Sequence, residues 1–251
     1  MYKLKIIIFI FLKDFNKNTQ TFYLLKKLVV LTGAGISAES GINTFRDTAG
    51  FWEGHEVMEV ASPEGYLANP ELVLDFYNQR RQQLLEVNPN KAHINLAKLE
   101  SDFKVEIITQ NVDDLHERAG SSNITHLHGE LLKVRSTLDE NNVLDWRKDL
   151  LLGDLCKKRS QLRPHIVWFG EAVPLLEKAI EITQTADILV IIGTSMQVYP
   201  AASLINYVKP NTPIYFIDPK PTVSINDYNN FTIIKDFASS GTDTLSLHLK
   251  A

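Results

Sequence analysis

The stretch KLVVLTGAGISA, residues 27–38, decides the fold of this chain. Its first half is a continuous apolar strand, and its second half carries Gly33 and Gly35 in the pattern G-x-G-x-x-[G/A]. Glycines at this spacing permit a tight turn and bring the backbone close to a pyrophosphate at the N-terminus of a following helix. The motif is also consistent with a plain tight turn, but the strand before it favours dinucleotide binding.

More short, apolar and β-branched runs follow along the chain. They are Val105–Thr109, Ile124–Leu127, Ile166–Phe169, Ile188–Ile192, Ile214–Ile217 and Phe231–Ile234. Unbroken apolar strands are typically buried on both faces, as in a parallel sheet that helices cover. The sequence therefore predicts an α/β fold: a Rossmann-like parallel sheet with helices on both faces, plus a smaller inserted lobe.

Capping residues and prolines mark the predicted helix starts. Asn69 is predicted to cap a helix that begins at Pro70 and runs to about residue 87, because proline lacks the N–H that the first helical turn leaves unpaired. Asn111 is predicted to cap the segment after the second strand, and Pro174 and Pro200 are predicted to open two more helices.

Residues 26–251 are predicted to form one compact domain. Two segments, about 44–87 and 129–164, do not alternate between strand and helix, and we expect them to form the smaller lobe. Residues 1–25 are an N-terminal extension whose apolar run, Ile6–Leu12, is far shorter than the ~20 residues of a membrane-spanning helix. No small-x-small cleavage site follows that run, so we interpret the extension as an added edge strand or the result of a misassigned start.

Charge and cysteine content exclude several classes of protein. The 26 Lys and Arg nearly balance the 30 Asp and Glu, which gives a formal charge of −4. The longest cationic run is Lys157-Lys158-Arg159, so the chain lacks the basic footprint of a nucleic-acid groove, and no nucleic-acid partner is expected. The single cysteine, Cys156, excludes an internal disulfide and any metal site built from several thiolates.

The segment after the glycine motif argues against hydride transfer. A dehydrogenase of this fold has a strand that ends in Asp or Glu about 20 residues beyond the glycines, where the carboxylate holds a ribose. Residues 40–52 instead read SGINTFRDTAGFW, which is typical of a loop, and Glu53 has no strand before it.

Five short motifs occur in a fixed order along the chain: GAGIS (33–37), GINTFR (41–46), TQNVDDLH (109–116), HLHG (126–129) and VWFGE (167–171). Together they resemble the motif series of the sirtuins, which are NAD-dependent protein-lysine deacylases. The resemblance extends over about residues 27–250, and five ordered motifs are far more specific than any one of them.

The resemblance implies a role for each matching residue. His128 matches the catalytic histidine, and Asn111 and Asp113 would act with it at the nicotinamide end. Val167, Phe169, Gly170 and Glu171 match a strand that pairs with the backbone of a substrate peptide. NAD would contact Gly33, Ala34, Gly35, Ser37, Phe45, Arg46, Gln110, Asn111, Asp113, Gly193, Thr194, Ser195 and Asp218.

Plainer interpretations exist for these residues one at a time. His128 is also consistent with a structural histidine, Asn111 and Asp113 with helix caps, and Gly193-Thr194-Ser195 with a turn. Asp218 departs from the family pattern, in which many relatives carry Asn, but a carboxylate also accepts hydrogen bonds from ribose hydroxyls. The ordered occurrence of all five motifs favours the functional interpretation.

The helix that Pro70 opens carries a candidate acyl-recognition pair. Tyr77 and Arg80 are three residues apart and share one helical face. With Ala61 they resemble the sirtuin subclass that removes malonyl, succinyl and glutaryl groups, in which Arg holds a carboxylate while Tyr donates a further hydrogen bond. An ordinary polar helix face is the alternative.

The zinc cysteines of most sirtuins are missing. Alignment on the HLHG motif places the four positions near Ser136, Asp139, Cys156 and Arg159, so a tetrathiolate site is impossible and no zinc is expected. A mixed site that uses Cys156 with His165 or Asp residues is the alternative. We expect an apolar core to replace the metal, formed by Leu138, Val143, Leu144, Trp146, Leu150 and Leu151.

The resemblance implies NAD-dependent removal of acyl groups from protein lysines, with release of nicotinamide and O-acyl-ADP-ribose. Succinyl, malonyl and glutaryl groups are favoured, and acetyl remains a possible substrate. The alternatives are a protein ADP-ribosyltransferase, which would leave Tyr77 and Arg80 without a role, and a non-catalytic NAD-binding module. We expect a cytoplasmic protein, because the implied cofactor is cytosolic. We also expect a monomer without a membrane partner.

Overall fold

A computed structural model describes residues 25–43, 51–222 and 230–250. The strands are β1 (Lys27–Thr32), β2 (Phe51–Trp52), β3 (His55–Glu56), β4 (Lys104–Thr109), β5 (Ile124–His126), β6 (Gly129–Ser136), β7 (Val143–Asp145), β8 (Leu162–Ile166), β9 (Ile188–Ile192), β10 (Ile214–Ile217) and β11 (Phe231–Ile234). The α-helices are α1 (Val57–Val60), α2 (Pro63–Ala68), α3 (Pro70–Glu86), α4 (Lys91–Leu99), α5 (Leu115–Arg118), α6 (Leu176–Gln184) and α7 (Ala238–Lys250). Short 3-10 helices lie at Ala34–Ile36, Ala38–Ser40 and Ala201–Tyr207.

The large sheet has six strands in the order β11-β10-β9-β1-β4-β5, and every neighbouring pair is parallel. From β1 the chain first builds outward through β4 and β5, and it then returns to the other side of β1 to add β9, β10 and β11. The strand order therefore reverses beside β1, and ligands bind at such a switch point, outside the carboxyl ends of the strands. The predicted α/β class with a parallel sheet is confirmed.

The apolar run of β1 serves two cores because successive side chains of a strand point to opposite faces. Leu28 and Val30 belong to one buried cluster, in which α4 and α7 cover the sheet. Val29 and Leu31 belong to a second cluster on the other face, covered by α6 and the 3-10 helix Ala201–Tyr207. Burial on both faces explains why the run is apolar without alternation.

A three-stranded antiparallel sheet, in the order β7-β6-β8, lies in the part of the chain that interrupted the strand–helix alternation. Helix α3 packs against its strands β6 and β8. The prediction that Ile166–Phe169 is a strand of the parallel sheet is wrong. Ile166 ends β8, and the next residues form a loop because the Val167 N–H donates to His128 O (2.9 Å) and the Phe169 N–H to Ala61 O (2.9 Å). Their apolar side chains fit an interlobe loop as well as a strand.

The predicted helix starts at Asn69–Pro70 and Pro200 are confirmed, and those at Asn111 and Pro174 are corrected. Asn69 Oδ1 accepts from the Leu72 N–H (3.1 Å) at the start of α3. Asn111 does not cap the segment after β4, because α5 begins only at Leu115. Pro174 does not open a helix directly, because α6 begins only at Leu176. Pro200 directly precedes the helix Ala201–Tyr207, which is of the 3-10 type.

Within the described ranges, no helix is both long and apolar enough to cross a membrane. Residues 1–24 of the predicted N-terminal extension lie outside the described residues. The proposed limits of the small lobe, 44–87 and 129–164, stay a prediction, and residues 44–50 also lie outside the described part.

Candidate active site

A cavity of about 560 Å³ opens at the carboxyl ends of β1, β4, β9 and β10. It is lined by all of the predicted site residues that the structure describes: Gly33, Ala34, Gly35, Ser37, Ala61, Tyr77, Arg80, Gln110, Asn111, Asp113, His128, Val167, Phe169, Gly170, Glu171, Gly193, Thr194, Ser195 and Asp218. The other two predicted residues, Phe45 and Arg46, lie outside the described residues. The loops after separate strands therefore converge on one space.

The glycine turn after β1 is packed against the turn after β9. The Gly33 N–H donates to Ile192 O (3.0 Å) and the Gly35 N–H to Gly193 O (2.8 Å). A Cβ on Gly35 would lie 2.6 Å from Gly193 Cα, so any side chain there would push the two turns apart. The expected α-helix does not follow directly, because two short 3-10 helices occupy residues 34–40. The glycines are thus needed for contact between two protein loops, beyond any approach to a phosphate.

The Ser37 hydroxyl joins the first loop to the loop after β4. It donates to Asp113 Oδ2 (2.9 Å) and accepts from Asn111 Nδ2 (3.1 Å). The other carboxylate oxygen, Asp113 Oδ1, accepts from the Leu115 N–H (3.2 Å), so Asp113 rather than Asn111 serves the start of α5. Burial raises the pKa of Asp113, and the hydrogen bond from Ser37 opposes that shift. The result is one fixed amide and one fixed carboxyl group at the cavity wall.

His128 has a defined tautomer. Its Nδ1 lies 2.9 Å from Gln110 O, and a carbonyl only accepts, so Nδ1 carries the proton and Nε2 keeps a lone pair. Burial lowers the pKa of His128, although the Gln110 carbonyl acts in the opposite direction. The ring is therefore neutral near pH 7, as a general base requires.

A second histidine, His126, is hydrogen-bonded to the loop after β4 that carries Asn111. Its Nδ1 lies 3.2 Å from Asn111 O and its Nε2 lies 2.7 Å from Glu117 Oε1. Both partners are acceptors, so both ring nitrogens donate and the ring is cationic. Burial lowers the pKa of His126, but the hydrogen bond and charge of Glu117 outweigh burial and raise it overall. No role was predicted for His126 from the sequence, although it stands in the HLHG motif.

The cavity wall formed by the large sheet carries polar groups that can bind a nucleoside. Gln110 Nε2 donates to Thr194 Oγ1 (3.1 Å), which links the loops after β4 and β9. Asp218, at the end of β10, is almost fully buried and accepts from the Lys220 N–H at 2.8 Å. Its carboxylate at the cavity wall is a suitable acceptor for ribose hydroxyls.

The candidate acyl-recognition residues line the same cavity, next to Trp168. Tyr77 is fully buried, and its hydroxyl oxygen accepts from Trp168 Nε1 at 3.0 Å. The Arg80 guanidinium lies 5.0 Å from the centre of the Phe76 ring, and its buried Nε has no hydrogen-bond partner among the described residues. Ala61 also lines the cavity, with a small side chain.

The Val167–Glu171 segment, expected as a substrate-pairing strand, is a loop in the structure. The Glu171 carboxylate is engaged within the protein and not directed at a peptide. It accepts from Arg163 Nη1 (2.6 Å), from Arg135 Nη2 (3.2 Å) and from the Trp168 N–H (2.8 Å). Burial raises the pKa of Glu171, but these hydrogen bonds and the arginine charges outweigh burial and hold it below its usual value. Arg163 and Trp168 were not singled out by the sequence analysis.

The four positions aligned with the zinc cysteines do not form a metal site. Ser136 and Cys156 each lie within hydrogen-bond distance of Ser160 Oγ (2.6 and 3.1 Å), and Asp139 pairs with Lys158 (2.9 Å). Across the described ranges, no three or more His, Cys, Asp or Glu side chains are grouped to hold a metal. The donor set therefore does not fit a tetrahedral zinc.

The apolar replacement core was predicted only in part. Cys156, Leu150 and Leu162 are buried together with Leu74 and Val134, and Trp146 packs against them. Leu138, Leu144 and Leu151 are exposed, so their assignment to the core was wrong. Composition alone did not separate the apolar residues of the lobe into buried and exposed ones.

A parallel sheet with a switch-point cavity, a neutral histidine and a fixed Asn–Asp pair define a dinucleotide-binding α/β protein equipped for proton transfer. The sequence model of the Sir2 family matches residues 33–200. The chain belongs to the Sir2 family.

Relatives and solved structures agree with this assignment. A protein of Helicobacter pylori named NAD-dependent protein deacylase is 68% identical over 196 residues, which cover 78% of this chain and 86% of the relative. A protein of the same name from Bacteroides thetaiotaomicron is 53% identical over 227 residues, covering 88% of this chain and 97% of the relative.

Among solved structures, a Sir2 homologue in complex with NAD has a TM-score of 0.80 and 41% identity, covering 90% of each chain. A structure described as Sir2 bound to acetylated peptide has a TM-score of 0.74 and 28% identity, covering 90% of this chain and 94% of that one.

Proposed function

We propose that this protein is an NAD-dependent protein-lysine deacylase. The observation that carries the proposal is the neutral His128, with its free Nε2 lone pair, in one cavity with the fixed Asn111 and Asp113 side chains. The high identity to proteins named NAD-dependent protein deacylase supports it.

The cavity fits NAD by the chemistry of its donors and acceptors. Asn111 donates to Ser37, and among the described residues its side-chain oxygen has no partner, so this oxygen can accept from a carboxamide N–H. Asp218 offers a carboxylate for the adenosine ribose. NAD, when bound, supplies a ribose carbon from which nicotinamide leaves as the acyl oxygen adds.

His128 and the Asn111–Asp113 loop perform the protein's part of the reaction. With Nδ1 engaged by Gln110 O, His128 takes up a hydroxyl proton on Nε2 without changing tautomer. The Ser37 bridge holds the amide and carboxyl groups in one geometry, so orientation is established before the substrate arrives.

The test is an assay with an acyl-lysine peptide and NAD in which nicotinamide and the acylated ADP-ribose are both measured. Deacylation requires both products in equal amounts, and His128→Ala should abolish them. Transfer of ADP-ribose to protein without acyl product would identify a transferase instead, and absence of turnover would identify a binding module.

We propose further that the enzyme prefers succinyl, malonyl or glutaryl groups over acetyl. Tyr77, Arg80 and Ala61 all line the cavity, and Tyr77 and Ala61 belong to one buried cluster. Arg80 is half-buried with an unpartnered Nε, and Tyr77 accepts a hydrogen bond from Trp168 while keeping its own proton to donate. A carboxylate at the end of an acyl chain would satisfy both groups, and an acetyl group would satisfy neither.

Arg80→Met tests this preference. We expect the ratio of kcat/KM for succinyl-lysine to that for acetyl-lysine peptide to fall about 10- to 100-fold, because a charge-assisted hydrogen bond is lost. Arg147→Met is a matched control, since Arg147 is exposed and does not line the cavity. An equal fall for both peptides would contradict the preference.

The remaining expectations belong to the same proposal. A backbone segment around Val167–Gly170 at the cavity mouth would pair with the acyl-lysine peptide, and the protein would work as a cytoplasmic monomer without bound zinc. Sedimentation of the purified protein tests the monomer, and metal analysis of the same sample tests the absence of zinc.

A further inference from the structure

We propose that Trp168, clamped by the Arg163–Glu171 ion pair, is a positioning residue that aims the Tyr77 hydroxyl at an acidic acyl group. This inference deepens the acyl preference proposed above and rests on it. It gives a role to Trp168, Arg163 and Glu171. Glu171 then acts in this clamp and not as a residue that pairs with the substrate peptide.

The direction of the Tyr77 proton follows from its partner. The Trp168 indole N–H can only donate, so at 3.0 Å from Tyr77 Oη it occupies a lone pair of the hydroxyl oxygen. Among the described residues the Tyr77 hydroxyl donates no hydrogen bond, so its proton is available to a ligand. Burial raises the pKa of Tyr77, and the group remains a donor across the physiological range.

Trp168 is held from three sides. Its main-chain N–H donates to Glu171 Oε2 (2.8 Å), and the Arg163 guanidinium stacks 3.3 Å from the centre of its ring. The Tyr66 ring lies on it at a centroid distance of 5.2 Å. With 2% of its surface exposed, the indole has no room to rotate away from Tyr77.

The clamp behind the indole is a bidentate ion pair. Arg163 donates through Nη1 to Glu171 Oε1 (2.6 Å) and through Nη2 to Glu171 Oε2 (3.1 Å). Arg163 Nη2 also donates to Ile166 O (3.1 Å), at the end of β8, and Arg135 of β6 pairs with the same carboxylate. The small antiparallel sheet thus fixes the position of the indole, and the indole fixes the orientation of the Tyr77 hydroxyl.

The chemical consequence is selective for anionic acyl groups. A hydroxyl with a fixed proton direction gains a full hydrogen bond with a carboxylate and loses little orientational freedom on binding. An acetyl group has no acceptor at that distance from the lysine. Trp168 should therefore affect the binding of a succinyl substrate through Tyr77, with an effect on KM larger than that on kcat.

A double-mutant cycle on kcat/KM tests the chain from Trp168 to Tyr77. Trp168→Phe should lower the succinyl-to-acetyl ratio about fivefold, since it removes one hydrogen bond and keeps an aromatic ring. In a Tyr77→Phe background, Trp168→Phe should cause no further change in the ratio. The effects of two substitutions that remove the same contact are not additive. Trp146→Phe, which removes an indole donor of a residue that does not line the cavity, is the matched control.

Two outcomes overturn the inference. Either Trp168→Phe leaves the ratio unchanged, or it lowers the ratio equally in the wild-type and Tyr77→Phe backgrounds. If Trp168→Phe fails to fold, Arg163→Lys replaces it in the cycle, since lysine keeps the charge but cannot form the bidentate and stacked contacts. If Arg80→Met lowers the ratio but the cycle is additive, the preference stands and this inference falls; if Arg80→Met has no selective effect, the preference itself falls.

Discussion

His126 and His128 are two residues apart but differ in charge, because they have different hydrogen-bond partners. His128 meets one carbonyl through Nδ1, so a neutral ring satisfies the contact. His126 meets a carbonyl and a carboxylate, so only a ring protonated on both nitrogens satisfies both. The neutral ring is suited to take up a proton, and the cationic ring to hold the Asn111 backbone in place.

The charge state of His128 predicts an acid limit of activity below the ordinary histidine pKa. Burial lowers its pKa from 6.5, so the base form persists as the pH falls to that lowered value and is lost only beneath it. We expect kcat/KM for the acyl peptide to hold at pH 6.5 and, below the lowered pKa, to fall in inverse proportion to the proton concentration. An acid limb with a midpoint at or above 6.5 would contradict the assignment of His128 as a neutral buried base.

The charge state of His126 predicts an alkaline limit. Its pKa is raised, so below pH 6.5 the ring is fully protonated and donates a hydrogen bond to Asn111 O. This protonated state is lost as the pH rises through the raised pKa. The charged and titratable groups around it are Glu117, Glu130, Asp113 and His116. Glu117→Gln removes the main cause of the shift, so the alkaline limb of kcat/KM for NAD should move to lower pH, toward 6.5.

A conservative variant of the second histidine separates positioning from folding. His126→Asn keeps one donor for Asn111 O, because its amide nitrogen lies about where the ring Nδ1 does, but it loses the charge. We therefore expect kcat/KM for NAD to fall about tenfold and the alkaline limb to disappear. Circular dichroism of the same sample reports whether the fold is kept. A variant that keeps the wild-type alkaline limb would show that His126 is not its source.

At the scale of the elements, the small sheet is held by side chains where other members of the family are expected to use zinc. Ser160 Oγ joins β6, through Ser136, to the turn that carries Cys156. Ser160→Ala leaves two buried polar groups without this partner, at a cost of about 1–2 kcal/mol, so Tm should drop by about 3–6 °C. The measurement is thermal unfolding followed by circular dichroism.

The matched control for this change is Ser101→Ala, which removes an exposed hydroxyl that bonds only to Lys98 O and should leave Tm within about 1 °C of the wild type. A chelator provides the complementary experiment. Because the donor set does not fit zinc, EDTA should leave Tm unchanged in the wild type. A chelator-induced fall would contradict the proposed side-chain closure of the lobe.

Element boundaries show where prediction from sequence succeeds and fails. The Asn69–Pro70 start of α3 was predictable because cap and proline act within one turn. The Asn111 cap was wrong because a tertiary partner, Ser37, takes the amide, and that contact joins residues 74 positions apart. The strand at Ile166–Phe169 was wrong for a similar reason, since its N–H groups bond to distant loop and strand-end carbonyls that no local pattern reveals.

For the whole molecule, the sequence predicted the parallel sheet because buried strands leave an apolar signal within a few residues. Its ordered motifs placed most of the described candidate residues at strand ends and loops, and Tyr77 and Arg80 on a helix, and these residues all line one cavity. The His126–Glu117 pair and the Arg163–Glu171–Trp168 clamp were missed, since each depends on side chains that come together only through the fold. The residue types of the site could be predicted from the sequence. The tertiary contacts that orient those side chains could not.

The cavity is lined by the strand ends of the large sheet and, on its other side, by Tyr77, Arg80 and Trp168 next to the small sheet. A ligand that bridges these walls stabilises the whole native structure, by about 2.7 kcal/mol at 100 times its dissociation constant. ADP-ribose at that excess should therefore raise Tm by about 5–10 °C. Ser37→Ala, which frees the Asn111 amide and the Asp113 carboxylate, should reduce the rise at the same ligand concentration, while Ser101→Ala should keep it in full. Differential scanning calorimetry measures the shift, and a wild-type Tm that stays constant up to millimolar ADP-ribose would show that the cavity does not bind the dinucleotide.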